Sequence, residues 1–316
     1  MSASMRGRPL CSDAARARPD DNIATATRID VWILVELAKT WGRRPLTDAS
    51  LPAPVEAALT RAIAEIPRSR VVFIRRRLEV RSGCRIYIAR SAPTVWMTTI
   101  DLPSLDDVAD LPFRALAEGG GESIDLLPSA LCALPSETPL VLVCTHGQRD
   151  SCCGRRGFPL YEALRTQESL DVWQCSHIGG DRFAANAVVL PWGLYYGPVE
   201  PRDAGALADS VLRDEILIDA YRGRSSMPRT AQAAETFVRR TTGMKARDAL
   251  RVIARKTLPN GQIHVHLRDN IGTLHEVTFE PYISTAEAYL TCTAEATCPI
   301  VQFRLVDYRT TNQHQD

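Results

Sequence analysis

Leu140-Val141-Leu142-Val143-Cys144-Thr145-His146-Gly147-Gln148-Arg149-Asp150-Ser151-Cys152-Cys153 is the stretch on which the reading of the fold turns. Its four consecutive apolar residues suit a strand buried on both faces, ending at Cys144. A polar loop then delivers two adjacent cysteines. Pro159 to Gln167 reads as a helix, with Leu160 and Leu164 on one face. Val172 to Cys175 is a second short strand, followed by His177-Ile178-Gly179-Gly180-Asp181. The two glycines there predict a tight loop that lets backbone approach a bound group. Ala187 to Leu190 and Leu194 to Tyr196 read as strands joined through Pro191-Trp192-Gly193, and Asp203 to about Tyr221 as a helix.

Strand, helix, strand, loop, hairpin, helix is the order of a thioredoxin-like α/β domain, placed here over residues 136–222. Its ligand-bearing loop stands where a second helix would start. Working outward, residues 1–28 carry several arginines and little apolar content, which predicts a disordered tail. Residues 29–135 form an N-terminal α/β domain, for which a degenerate second thioredoxin-like domain is one reading. Val31 to Ala38 and Val55 to Ile66 read as helices there, as does most of 105–118. Val71 to Ile74, Arg85 to Ala89 and Thr94 to Thr99 read as strands. Gly119-Gly120-Gly121 and the prolines after it put a domain boundary in 119–137. Residues 222–230 read as a linker. Residues 223–316 then form a small C-terminal α+β appendix, with helices at Ala231 to Arg240 and Ala246 to Ala254. Its strands are expected at Ile263 to Leu267, Thr273 to Phe279 and Ile300 to Val306.

Composition narrows the function. A formal net charge of +1 gives no bulk attraction for nucleic acid or an anionic membrane, so neither is expected as a partner. No run of 18 apolar residues predicts a transmembrane helix, and residues 1–28 lack the apolar core of a secretory signal. Nine cysteines, an odd number, in a long chain without an export signal fit reduced thiols and a cytoplasmic location.

Two thiolates from the first loop, with the imidazole of His177 and the carboxylate of Asp181 from the second, are a ligand supply for one small metal centre. Each residue has a plainer reading. Cys144 could be a buried structural cysteine, and Asp181 could cap the turn after it. Cys152 competes with Cys153 as ligand, and Cys175 reads as a strand residue near the site. His146 suits either a hydrogen-bonding neighbour of the ligands or a polar loop residue. Arg149, Arg155, Arg156 and Arg182 make both loops basic, for pairing with Asp150, Asp171 and Asp181 or for docking an acidic redox partner. His264, His266 and His275 could share a sheet face and bind zinc, although a solvated face is the plainer account. No phosphate-binding glycine loop, nucleophile elbow or dinucleotide fingerprint supports another enzyme class.

Three segments carry a family resemblance. They are Val143-Cys144-Thr145-His146-Gly147-Gln148-Arg149-Asp150-Ser151-Cys152-Cys153-Gly154, Ser176-His177-Ile178-Gly179-Gly180-Asp181-Arg182-Phe183-Ala184-Ala185-Asn186, and Leu190-Pro191-Trp192-Gly193-Leu194-Tyr195-Tyr196-Gly197. They resemble the sucrase/ferredoxin-like family, a branch of the thioredoxin-like [2Fe-2S] ferredoxins. The resemblance implies two cysteine ligands nine positions apart and two histidines in a His-x-Gly-Gly-His loop. Carried over, these are Cys144, Cys153 and His177, with Asp181 in the second histidine position. His146, Arg149, Cys152, Gly179, Gly180 and Arg182 would surround them. A [2Fe-2S] cofactor, an electron carrier rather than an enzyme with its own substrate, and unidentified redox partner proteins are what it implies. The rivals are a structural zinc site on the same four residues, a thiol redox protein using Cys152, Cys153 or Cys175, and a cofactor-free scaffold.

Overall fold

The computed structural model describes residues 8–18, 21–76, 83–119, 127, 132–136, 138–285 and 287–312. Among the described residues, ten strands form one sheet. In its N-terminal half β1 (Val31–Glu36) is followed by helix α2 (Pro45–Asp48) and helix α3 (Ala53–Glu65), then β2 (Ser69–Arg75), β3 (Cys84–Arg90), β4 (Trp96–Leu102), helix α4 (Phe113–Gly119) and edge strand β5 (Cys132–Pro135). The C-terminal half runs β6 (Leu140–Cys144), α5 (Ser151–Leu164), β7 (Asp171–Cys175), β8 (Ala187–Leu190), β9 (Leu194–Tyr196), α6 (Ala204–Leu212) and β10 (Tyr221–Arg224).

Both halves repeat one plan. β1 pairs parallel with β2 and antiparallel with β3, giving the order β2-β1-β3-β4. β6 pairs parallel with β7 and antiparallel with β8, giving β7-β6-β8-β9. Each has the strand order of a thioredoxin-like α/β unit, and in the C-terminal half a short helical turn, Asp181–Phe183, stands between β7 and β8 where the second helix would be. The units join edge to edge where β2 meets β7 antiparallel, with Ile74 opposite Cys175 and Arg75 opposite Gln174.

Strand parity builds the cores. Val31, Ile33 and Val35 face α3 and α4, while Val141 and Val143 face α5 and α6. The opposite parity from both halves, including Trp32, Leu34, Leu142, Trp173 and Tyr195, forms one shared core. The Trp32 and Tyr195 rings are 6.1 Å apart although four strands separate β1 from β9, so the sheet folds back on itself.

Several expectations change. Val31–Glu36 is a strand, not a helix: it lies between two neighbours with both faces buried, so its apolar run is continuous. The helix expected over 159–167 starts at Ser151 and ends at Leu164. Pro159, read as its opening residue, sits inside it. The helix expected to Tyr221 stops at Leu212, and Tyr221–Arg224, read partly as linker, pairs with β9. Leu250–Thr257 is a strand where 246–254 predicted a helix. The 119–137 boundary falls largely outside the described residues. Within the expected tail, helix α1 (Cys11–Arg16) buries Cys11 and Ala15, and Ile23 and Ala24 join the core under the C-terminal sheet.

That sheet is the antiparallel meander β11 (Leu250–Thr257), β12 (Ile263–Asp269), β13 (Thr273–Ile283) and β14 (Val301–Asn312), with helix α7 (Arg229–Thr242) on its buried face. His264 and His266 share its outer face, but His275 pairs opposite Leu267 on the buried face and bonds Asp269 and Tyr308. The three histidines therefore do not form one set. No helix among the described residues is long and apolar enough to cross a membrane.

Candidate metal centre

The centre lies where β6, α5 and the loop after β7 meet. Cys144 is the last residue of β6, paired with Cys175 of β7 and fully buried. Asp150 caps α5, its carboxylate accepting from the Cys152 N–H at 2.9 Å, so Cys152 and Cys153 fall in the first helical turn. Successive helical residues point about 100° apart. Cys153 therefore turns toward Cys144, and Cys152 turns away to Cys11 and Cys292. That direction removes Cys152 as a competing ligand.

Helix and strand are held close by Gly157, where a Cβ would lie 1.9 Å from the Cys144 carbonyl oxygen. One donor atom each from Cys144, Cys153 and His177 lies within 4.8 Å of the others. Asp181 lies against two of them but outside that mutual set: its Oδ1 lies 3.2 Å from Cys153 Sγ and 3.0 Å from His177 Nδ1. Cys144, Cys153 and Asp181 are buried, and His177 alone keeps an exposed edge.

The histidine loop is held from three sides. Gly179 and Gly180 both adopt left-handed φ, at +95° and +83°. The guanidinium of Arg222, from β10, packs where a Gly180 Cβ would be, at 2.2 Å. It donates to the Gly179 carbonyl at 3.3 Å and to Asn186 Oδ1 at 2.7 Å, and the Asn186 amide returns a bond to the Gly180 carbonyl. From the N-terminal half, Arg70 donates to the His177 carbonyl at 2.6 Å. His146 Nε2–H donates to the Gly42 carbonyl, and Nδ1 accepts from the His177 N–H at 3.2 Å. Burial lowers the His146 pKa, in keeping with this neutral tautomer. His146 is thus a hydrogen-bonding neighbour of the ligand loop.

The electrostatics separate the two thiols: the bond to Cys144 and burial hold the Cys153 thiol well above its ordinary pKa. Bonds from Cys153 and Cys175 hold the Cys144 thiol well below its ordinary pKa. Burial lowers the His177 imidazole, but Asp181 and Cys144 outweigh it and hold it up at about 9. His177 Nδ1 is nevertheless buried without a hydrogen-bond partner, despite its closeness to Asp181. An orphaned nitrogen beside two sulfurs and a carboxylate is a donor set able to take a metal.

Of the surrounding residues, Arg182 lies over the Phe183 ring, and Arg149 lines a groove of about 310 Å³ beside His177. Arg43, Arg44 and Arg70 line the same groove, and no acidic residue among the described residues does. Arg70 and Arg222 escaped the sequence reading. Arg222 stood in an apparent linker, and nothing local marks it as buried.

A family model described as Sucrase/ferredoxin-like matches residues 23–223. Over 96 residues the chain is 36% identical to a protein named Altered inheritance of mitochondria protein 32 from Meyerozyma guilliermondii, covering 27% of this chain and 34% of that one. The protein of the same name from Clavispora lusitaniae is 35% identical over 101 residues, covering 29% and 37%. The chain thus spans about a third of the length of these curated relatives. A solved thioredoxin-like [2Fe-2S] ferredoxin from Aquifex aeolicus aligns at 19% identity with a TM-score of 0.26, covering 29% of this chain and 97% of that one.

Proposed function

The chain belongs to the sucrase/ferredoxin-like family, and on that premise we propose that its centre holds a [2Fe-2S] cluster and serves one-electron transfer. The observation that carries the reading is the convergence of Cys144, Cys153 and His177, with Asp181 against them, in a site closed on every side but the histidine edge. These four residues would hold the cluster, which when bound takes up and releases a single electron. Asp181 supplies an oxygen donor and a negative charge. Arg222 and Asn186 fix the loop that carries His177 and Asp181, and Arg70 and His146 fix the His177 backbone. The buried thiols keep water from the sulfur side. His177 offers the route to the surface, and the four arginines beside it suit an acidic protein partner.

Compactness favours one second reading. A tetrahedral ion bound at roughly 2.0–2.3 Å holds its donors about 3.3–3.8 Å apart, near the separations at Asp181. A structural zinc on the same four residues is the alternative, and it would draw Asp181 and Cys144 together, since Asp181 lies outside the set whose donors are mutually within 4.8 Å. Protein purified without oxygen decides between them. The cluster reading expects brown protein with equal iron and sulfide, two of each per chain by this account, and a paramagnetic signal on reduction. Colourless protein without iron or sulfide would overturn it, and zinc lost on Cys144→Ser would establish the alternative.

A further inference from the structure

The geometry points to a second metal site, separate from the first, built by the thiols of Cys11, Cys152 and Cys292 and suited to one zinc-class ion. The three sulfurs form a triangle. Cys11 Sγ lies 3.5 Å from Cys152 Sγ, Cys152 Sγ lies 3.1 Å from Cys292 Sγ, and Cys292 Sγ lies 3.6 Å from Cys11 Sγ. A disulfide needs about 2.05 Å, and a tetrahedral ion with bonds of about 2.3 Å spreads its sulfurs to about 3.8 Å. The triangle lies much nearer the second geometry, and all three cysteines are free thiols.

Backbone donors point at two of the three sulfurs. The Cys11 N–H donates to Cys292 Sγ at 3.5 Å, and the Ser12 N–H to Cys152 Sγ at 3.4 Å. Asp150 accepts from the Cys152 N–H at one oxygen and from the Cys292 N–H at the other, at 2.9 and 2.6 Å. It ties together the two backbones that carry those thiols, and its own oxygens are already engaged. Three thiolates and a divalent ion leave one negative charge. Arg8 lies close by, donating to the carbonyls of Cys292 and Ala294 at 2.6 and 2.9 Å. A cavity of about 300 Å³ lined by Arg8, Arg149, Asp150 and Cys292 gives access and room for a fourth ligand.

The ligands come from positions 11, 152 and 292, so the ion would clasp both ends of the chain to the first turn of α5. That turn also carries Cys153. α1 reaches the histidine loop as well, since Arg16 donates to the Ala184 carbonyl at 2.7 Å. The second ion would thus brace the helix end and the loop of the first centre without touching it.

The test uses the full chain with the first centre disabled by Cys144→Ser and Cys153→Ser, stripped with chelator under reductant and titrated with zinc against a chromophoric competitor. One zinc per chain is expected, and its loss when Cys11→Ser and Cys292→Ser are added with the circular dichroism unchanged. In wild type, thiol alkylation mapped by mass spectrometry should spare Cys11, Cys152 and Cys292 with zinc present and label them after chelation. The exposed Cys298 should label in both states. Absence of bound zinc with no protection of these thiols would overturn the proposal, as would a disulfide joining two of them in reduced protein. If the combined variant does not fold, the wild-type labelling decides alone. Iron and sulfide at the first centre are not read in either arm, so failure there is told apart from failure here.

Discussion

Gly180 cannot carry a side chain. Its φ of +83° strains an L-residue, and a Cβ would meet the Arg222 guanidinium at 2.2 Å. Arg222 cannot retreat, because it is fully buried and bonded to Thr25, Gly179 and Asn186. Gly180→Ala should therefore cost about 1–3 kcal/mol and displace His177 and Asp181 from the thiols. Thermal unfolding and metal content would both fall; a variant with wild-type metal content would contradict this account of the loop. The His-x-Gly-Gly-x pattern was legible because glycine pairs beside a ligand type are rare and physically meaningful. Arg222 was not, since an arginine in a polar segment looks the same whether solvated or buried. Only the pairing of β10 with β9 reveals its place.

At the scale of elements, the centre depends on how closely α5 approaches the end of β6. Gly157 permits that approach, one helical turn beyond Cys153, with no room for a methyl against the Cys144 carbonyl. Gly157→Ala should push the helix off the strand, separate Cys144 from Cys153, and cost about 1–3 kcal/mol by overpacking. Retained metal with a lowered melting temperature would show that the two thiols do not share a centre. The strand ending at Cys144 was readable because it is short, apolar and followed by a polar loop. The start of α5 was not, because Gly154, Gly157 and Pro159 all argue against helix locally. Packing against β6 and the Asp150 cap override them. β1 misled in the other direction: a fully apolar run does not distinguish a buried strand from a helix without its neighbours.

Across the whole molecule, two units of the same strand order meet at β2 and β7, and the site lies beside that seam. The N-terminal unit supplies none of the four proposed donors. It walls the site instead, through Arg70, through Gly42, and through the Ser176 N–H bonded to the Phe73 carbonyl. At the far edge α7 ties the C-terminal sheet to β10 through buried Glu235, which bonds Arg224, Arg239 and the Tyr221 hydroxyl. Burial raises the Glu235 pKa, but the two guanidiniums outweigh it and hold the carboxyl below its ordinary value. Its stabilisation is complete above about pH 4, the unfolded range, and is lost as pH falls through the lower folded value. Glu235→Gln should cost about 3–5 kcal/mol at neutral pH, and denaturant melts should show the gap from wild type closing in acid. A gap that persists unchanged at low pH would contradict the ionic account. A second thioredoxin-like unit was one reading of the sequence, but the tie through β10 was not legible, because residues 222–224, read as linker, belong to the strand that joins the two parts.

The central claim is that two cysteines, His177 and Asp181 grip one centre. Pulsed electron paramagnetic resonance of the reduced protein tests it most directly, by reading nitrogen coupled to the metal. Wild type should show one imidazole nitrogen and Asp181→His a second, with the signal lost in Cys144→Ser. A reduced centre with no coupled nitrogen, or one unchanged by Asp181→His, would contradict the account.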